Sequence, residues 1–330
     1  MPVTWEQVQP VMAALSMNEA RCERLSTETQ AAVYRTWTED GKSVILKVTD
    51  RRAAITREVR VDAVLRRRRG IRFAPILAHG ERGDLGYVVY ADDGLTEVAW
   101  TKMRDRQVMA TMAAIHRMSV NWIREDADAH TPGIEAIEAD LETCDATEVD
   151  RALAELSPDG QAIGHTTTAP LLHAVVQWRS LMDVGGAVFC HGDLHRGNVM
   201  ISRHTGLLHV IDWEFAHLDS PLYDLFQFLD ATSPHTPQRP VLSREDAVEA
   251  YYTRQRTRLI DVTKAQFVTA YHLYAGAYLI WITLRVAADY RAQRFSIQAL
   301  QRQQAENARA LQEIAQTLAK SGLLTQEVLR

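Results

Sequence analysis

The chain of 330 residues has only three cysteines, Cys22, Cys144 and Cys190, an odd number scattered without the paired spacing of a zinc site or a redox motif. This excludes a disulfide framework and leads to the expectation of reduced thiols in a cytoplasmic protein. An excess of positive charge is also missing. The formal net charge is −5, so no broad electrostatic footprint for nucleic acid exists, and none is expected as a partner. The first residues, Met-Pro-Val-Thr-Trp-Glu, lack a basic region followed by an apolar one, and the longest apolar stretch, Leu273 to Leu284, is shorter than a bilayer span. A soluble chain with no membrane partner and no obligate protein partner is expected. Lysine is scarce, with five among 37 basic residues, and glycine is absent from the stretch Leu25-Ser-Thr-Glu-Thr-Gln-Ala31.

What is present is a chain that can build a large core, with 46% hydrophobic content over a length suited to two lobes or domains. Residues 5–20 read as an amphipathic helix. Strands follow at 32–37 and 43–48 about a turn at Glu39-Asp-Gly41, and a helix from about Arg52 to Arg68 places Ile55, Val59, Val64 and Leu65 on a partly apolar face with Glu58 on its other side. Lys47 stands inside an apolar strand. It is either an edge lysine facing water or a buried cation in need of a partner, and Glu58, eleven residues on in a strand-then-helix arrangement, is a plausible one. Arg66 to Arg69 read as a solvated helix end. Tyr87 to Tyr90 form a strand running into Ala91-Asp-Asp-Gly94, where the lobes are expected to divide: 1–92 for the first and 93–330 for the second. A helix over 103–119 carries His116, expected to be structural.

Between Asn121 and Asp150 lie ten acidic residues against Arg124 alone. A solvated helical face accounts for this, or a negative wall that attracts a cationic ligand. Beyond Ser220-Pro221 the chain is expected to be mostly helical, at 244–256, 264–288 and 296–320, with Gly322 as a stop. Tyr271, Tyr274, Tyr278 and Trp281 share one helical face, either as core or as an aromatic cage for a quaternary ammonium.

The densest chemistry lies in His191-Gly-Asp193-Leu-His-Arg-Gly-Asn198 and Ile211-Asp212-Trp-Glu214. The runs 198–202 and 207–211 read as strands joined by a turn at Arg203-His-Thr-Gly206. If Ser202 lies near Leu207, the ladder places Asn198 near Ile211, so Asn198 and Asp212 meet at the open end of the hairpin, fed by the loop that carries Asp193. Oxygen donors so gathered suit a hard cation such as Mg²⁺, which takes its other ligands from water and substrate phosphates. Such an arrangement fits phosphoryl transfer, in which charge on the migrating group must be neutralised and an attacking hydroxyl held in line.

These two motifs resemble the catalytic loop and metal-binding segment of the aminoglycoside phosphotransferase and choline kinase-like superfamily, small-molecule relatives of protein kinases. The resemblance runs from about Leu25 to Trp281. It implies an α+β, bilobal, protein-kinase-like fold with a small β-rich N-lobe that binds nucleotide and a larger, mostly helical C-lobe. It further implies an ATP- and Mg²⁺-dependent transfer of the γ-phosphate to a hydroxyl of a small, cationic molecule, an aminoglycoside or a choline- or thiamine-like metabolite. By that resemblance Asp193 acts as the base, Asn198 and Asp212 hold Mg²⁺, Lys47 binds the ATP phosphates and Glu58 anchors Lys47. His191 braces the loop, Asp224 supports its backbone, and Glu214 assists a metal or contacts a cation. The chain departs from the family in its glycine-free phosphate loop, where Ser26 and Thr27 hydroxyls are expected to replace backbone contacts. That departure also motivates a second reading, a kinase-fold nucleotide-binding structural or regulatory protein with little activity. Asp224 follows Asp212 by only twelve positions, too few for a peptide-docking activation segment, which makes a protein kinase the weakest alternative.

Overall fold

The computed structural model describes residues 3–25, 31–68, 71–119, 133–156, 165–232 and 240–324. The chain divides into two compact units, one of Met1–Ala99 with Gly197–Ala216 and one of Trp100–Arg196 with His217–Arg330. The partition is discontinuous, unlike a single cut near residue 92, because the hairpin after the His191–Asn198 loop pairs with a strand of the N-terminal segment.

The first unit begins with α1 (Trp5–Ala14), shorter than the helix expected over 5–20. Ser16 has a φ of +51°, which ends the helix, and β1 (Met17–Arg24) takes up residues assigned to it from their apolar spacing. Then come β2 (Ala31–Thr38), β3 (Ser43–Thr49), α2 (Arg52–Leu65), β4 (Ile76–Arg82), β5 (Leu85–Ala91) and β6 (Leu95–Glu97). The five longer strands form one antiparallel sheet in the order β1-β2-β3-β5-β4.

Strand periodicity explains how this sheet is used. Ala32, Tyr34, Val44, Leu46 and Val48 point to one face and pack with Val8, Val11 and Met12 of α1. Lys47 lies between Leu46 and Val48 and therefore projects from the opposite face. There α2 packs against β4 and β5, closely enough that a Cβ on Gly86 of β5 would stand 2.8 Å from Cγ1 of Ile55. The inward side of α2 carries Ile55, Arg57, Glu58, Val61 and Leu65. Glu58 is thus on the buried face and not across from it as expected, since its partner lies on the sheet.

A second, three-stranded sheet in the first unit orders β6-β8-β9, with β8 spanning Val199–Ser202 and β9 Leu208–Val210. Its register pairs Val199 with Val210, Met200 with His209 and Ile201 with Leu208. Ser202 N–H donates to Leu207 O at 3.0 Å and Ile211 N–H to Asn198 O at 3.0 Å, the ends of the ladder expected from the sequence.

The second unit holds α3 (Lys102–His116), α4 (Ile134–Glu142), α5 (Ala146–Leu156), α6 (His165–Gln177), β7 (Val188–Cys190), β10 (His217–Asp219), α7 (Pro221–Leu229), α8 (Arg244–Gln255), α9 (Lys264–Arg291) and α10 (Ile297–Lys320). β7 and β10 form an antiparallel pair. Helix α9 is the axis of this unit and packs on α4 to α8 and on α10. At 28 residues it is, by length and composition, long and apolar enough to cross a membrane, but 72% of its apolar window is buried, the state of a core helix. Tyr271, Tyr274 and Tyr278 are fully buried, and Tyr278 packs on Tyr274 and on Phe226 with ring centroids 4.8 Å apart in both cases. Three of the four aromatics are core, which leaves these rings no open face for a quaternary ammonium, while Trp281 is half-buried and its Nε1 donates to Asp140 Oδ2 at 3.2 Å. Residues 121–132, part of the acidic stretch, lie outside the described residues.

Candidate active site

Lys47 is 5% exposed. Burying an unpaired ammonium costs several kcal/mol, so its position requires counter-charge. The first unit supplies three carboxylates. Lys47 Nζ donates to Glu58 Oε1 at 2.7 Å, to Asp212 Oδ1 at 2.6 Å and to Glu214 Oε2 at 2.9 Å. Burial by itself would lower the Lys47 pKa, but Asp212, Glu58 and Glu214 outweigh it and hold the ammonium well above its ordinary value. Burial pushes the Glu58 carboxyl up to about 7 against the pull of Lys47, with Asp212 and Glu214 adding repulsion.

Glu214 is held from two further sides. Its Oε1 accepts from Arg51 Nη1 at 2.9 Å, and its backbone oxygen accepts from Arg57 Nη1 at 2.6 Å. The Arg51 guanidinium also lies 4.6 Å over the ring of Phe215. Arg51 and Arg57 received no role from the sequence, because arginines near the start of a helix read as solvated. Only their meeting with a segment more than 150 residues away reveals them.

Asp212 follows the hairpin directly and has a φ of +64°, in the left-handed region that aspartate tolerates better than most residues. Such a turn directs its carboxylate out of the ladder line and toward Lys47. Trp213 Nε1 donates to Val210 O at 3.1 Å, which fixes the chain on leaving the strand. Asn198, on the facing strand at the same open end of the ladder, is 7% exposed. Oxygens of Glu58, Asp212 and Glu214 lie within 4.8 Å of one another, a hard-donor set of the kind divalent cations take. Ser26 and Thr27 fall outside the described residues.

In the second unit, Asp193 sits in the loop after β7 with its side chain 17% exposed. Its N–H donates to His191 Nδ1 at 3.3 Å, and His195 Nε2 lies 3.5 Å from its Oδ2. His191 itself is fully buried. Asp224, in the first turn of α7 behind the Ser220 cap, holds this loop by its backbone. Its Oδ2 accepts from His191 N–H at 2.7 Å and its Oδ1 from Gly192 N–H at 3.0 Å. His116 Nε2 stands 3.1 Å from Asp224 Oδ2, and its Nδ1 is 2.7 Å from Tyr251 Oη. Burial would raise the Asp224 pKa, but the contacts with His116 and His191 prevail and hold it below the ordinary value. Gly192 has a φ of +87°, which glycine adopts without the steric penalty of a side chain.

The profile of the phosphotransferase enzyme family (APH) matches residues 21–260, a span that covers parts of both units and all of both motifs. This chain belongs to the phosphotransferase enzyme family. Membership makes it an enzyme that transfers phosphate. No curated protein sequence matches it. Among solved structures, an aminoglycoside phosphotransferase from Alicyclobacillus acidocaldarius superposes with a TM-score of 0.63 at 14% identity, covering 97% of each chain. Amicoumacin kinase hAmiN, in complex with AMP-PNP, Ca²⁺ and amicoumacin, gives 0.55 at 18% identity, covering 95% of this chain and 94% of that one. The ADP-bound aminoglycoside phosphotransferase APH(2'')-Ib gives 0.55 at 12% identity, covering 93% and 98%. At these identities the likeness is one of fold, an α+β kinase-like architecture with a small antiparallel-sheet unit and a mostly helical one.

Proposed function

We propose that this phosphotransferase moves the γ-phosphate of ATP to a hydroxyl of a small, cationic molecule. The observation that carries the reading is the buried Lys47 ammonium donating to both Glu58 and Asp212, which supports an ammonium kept charged and aimed for phosphate oxygens. The family assignment and the nucleotide-bound relatives favour the same reading.

In this reading Lys47 binds the nucleotide phosphates and Glu58 keeps its ammonium in place. Asp193 accepts the proton of the acceptor hydroxyl while His191 and Asp224 hold the loop that presents it. Asn198 and Asp212 are the residues that would hold Mg²⁺, with Glu214 beside them, and their oxygen donors fit that ion. When bound there, Mg²⁺ supplies charge neutralisation to the phosphate oxygens. Ser26 and Thr27 remain the candidates for phosphate contacts from the glycine-free loop.

A cationic acceptor is favoured by the charge of the second unit. Residues 133–150 include Glu135, Glu138, Asp140, Glu142, Asp145, Glu148 and Asp150 with no lysine or arginine among them.

The test is a screen of ATP consumption against aminoglycosides, choline, ethanolamine, thiamine, homoserine and pentose derivatives, run with the wild type and with Asp193→Asn. At least one acceptor should stimulate turnover. The variant should lose it by about a thousandfold, the scale of a missing general base, while calorimetry finds ATP binding nearly intact. Full turnover by Asp193→Asn would remove Asp193 from the base role. Binding of ATP without transfer to any acceptor would favour a nucleotide-binding module instead.

A further inference from the structure

The sequence motif explains the ends of the 191–198 loop but gives no task to Arg196, which a reading based on proton transfer or metal binding leaves without a role. Its surroundings in the second unit are specific. The Arg196 side chain is 11% exposed, and its Nη2 donates to Asp105 Oδ1 at 3.1 Å and approaches Oδ2 at 3.4 Å. One face of the guanidinium lies 4.5 Å over the ring of Trp100, and Trp100 in turn packs on Phe228 of α7 with ring centroids 6.0 Å apart. The Arg196 Nε is buried with no hydrogen-bond partner among the described residues. A side chain that loses hydration on this scale is held by stacking and by one carboxylate, so it depends heavily on both.

Asp105 is fully buried in the first turn of α3 and does more than face Arg196. Its Oδ2 accepts the backbone N–H of Val241 at 2.7 Å and of Leu242 at 2.8 Å, in the segment that leads into α8. One carboxylate therefore ties three pieces of chain together: the start of α3, the lead into α8 and the loop bearing Asp193. Asp224 grips the same loop at residues 191 and 192, so Arg196 is a second point of attachment on the far side of Asp193.

We propose that Asp105 is a positioning residue for the phosphotransfer reaction, acting through Arg196 to set the conformation of the loop that carries Asp193. The proposal rests on the role given to Asp193 above. Without the Arg196–Asp105 contact, the stretch between the Asp224 grip and the Asn198–Ile211 ladder loses a side-chain anchor beside Asp193, and small misplacement of a reacting group lowers the rate without a matching loss of substrate binding. The planar face of arginine stacks on Trp100 while its Nη2 reaches Asp105, and lysine cannot reproduce both contacts.

Asp105→Asn separates the two tasks of the carboxylate. The carboxamide oxygen can still accept from Val241 and Leu242, but the charge facing Arg196 is gone. Hydrogen exchange of the amides of residues 193–196 should quicken by about fivefold or more, while those of 241 and 242 stay protected. In Arg196→Gln the same loop amides should quicken, and in Arg196→Lys the protection should be restored only in part. With water or a stimulating hydroxyl compound as acceptor, kcat should fall about tenfold in Asp105→Asn and Arg196→Gln with the KM for ATP within twofold of wild type.

If Asp105→Asn does not fold, Arg196→Gln carries both readouts, since its side chain lies nearer the surface. Loop amides and kcat indistinguishable from wild type in a folded variant would overturn the proposal, as would faster exchange confined to residues 241 and 242. A wild-type enzyme without ATP turnover would instead count against the proposed function, and the exchange measurements would still decide whether Asp105 holds the loop.

Discussion

Lys47 and Asp212, 165 residues apart in the chain, meet at 2.6 Å within the first unit. Their contact joins the central strand of the sheet to the segment that leaves the β8–β9 hairpin. With Glu58 and Glu214 at 2.7 and 2.9 Å, it surrounds one ammonium with three carboxylates.

Lys47→Met should remove both a phosphate ligand and the counter-charge of this cluster. We expect kcat/KM for ATP to fall by a hundredfold or more, about 2.7 kcal/mol of transition-state stabilisation. The folded protein should also lose about 3 kcal/mol, because buried carboxylates are left without their cation. Steady-state kinetics and urea unfolding measure the two losses separately, and an unchanged kcat/KM would remove Lys47 from nucleotide binding.

Asn198→Ala should raise the Mg²⁺ concentration needed for half-maximal turnover by about tenfold, the scale of losing one oxygen donor or its supporting contacts. A magnesium titration at fixed ATP checks this. An unshifted half-point would show that Asn198 is not a ligand.

Asp224 makes a prediction about acid. Its folded pKa lies below the ordinary 3.8, so the folded state binds fewer protons than the unfolded state across that interval. Its contribution to stability is therefore complete above the unfolded value and is lost as pH falls through the lower folded value. The stability difference between wild type and Asp224→Asn should be about 2 kcal/mol near neutrality and shrink below pH 3.8, which urea unfolding across pH can follow. A difference that grows toward acid would reverse the assigned sign.

Gly86→Ala tests the seat of α2. The added methyl would meet Ile55 Cγ1 at 2.8 Å, and Ile55 is 5% exposed, with little room to yield. A loss of about 1–3 kcal/mol is expected from overpacking. Because α2 carries Glu58 one turn beyond Ile55, the KM for ATP should rise as well. Loss of stability with no change in KM would mean that the helix absorbs the strain without moving Glu58.

Much of the site could be read from the residues because its signals are local. The β8–β9 register followed from alternation and a four-residue turn, and the Ile211–Asn198 bond lies where that count placed it. The Lys47–Glu58 pair followed from a cation inside an apolar strand and an acid in the next helix. What escaped was set by distant segments. β1 was absorbed into the preceding helix because nothing in its composition marks the turn at Ser16. Glu58 was given the wrong face because a charged residue on an inward face is unreadable until its partner is known. Arg51, Arg57 and Asp105 draw no reading from the sequence, since their partners lie 91 to 163 residues away in the chain.

The pairing of β6 with β8 has a practical outcome for anyone who cuts the gene. A fragment ending at Ala99 would leave Leu95–Glu97 without its neighbour strand, and Lys47 would face Glu58 alone, stripped of Asp212 and Glu214. The polypeptide must pass from one unit to the other and back before the smaller one is whole. The smaller unit is thus not a separable module, and it cannot be finished on the ribosome until the chain as far as Ala216 has emerged.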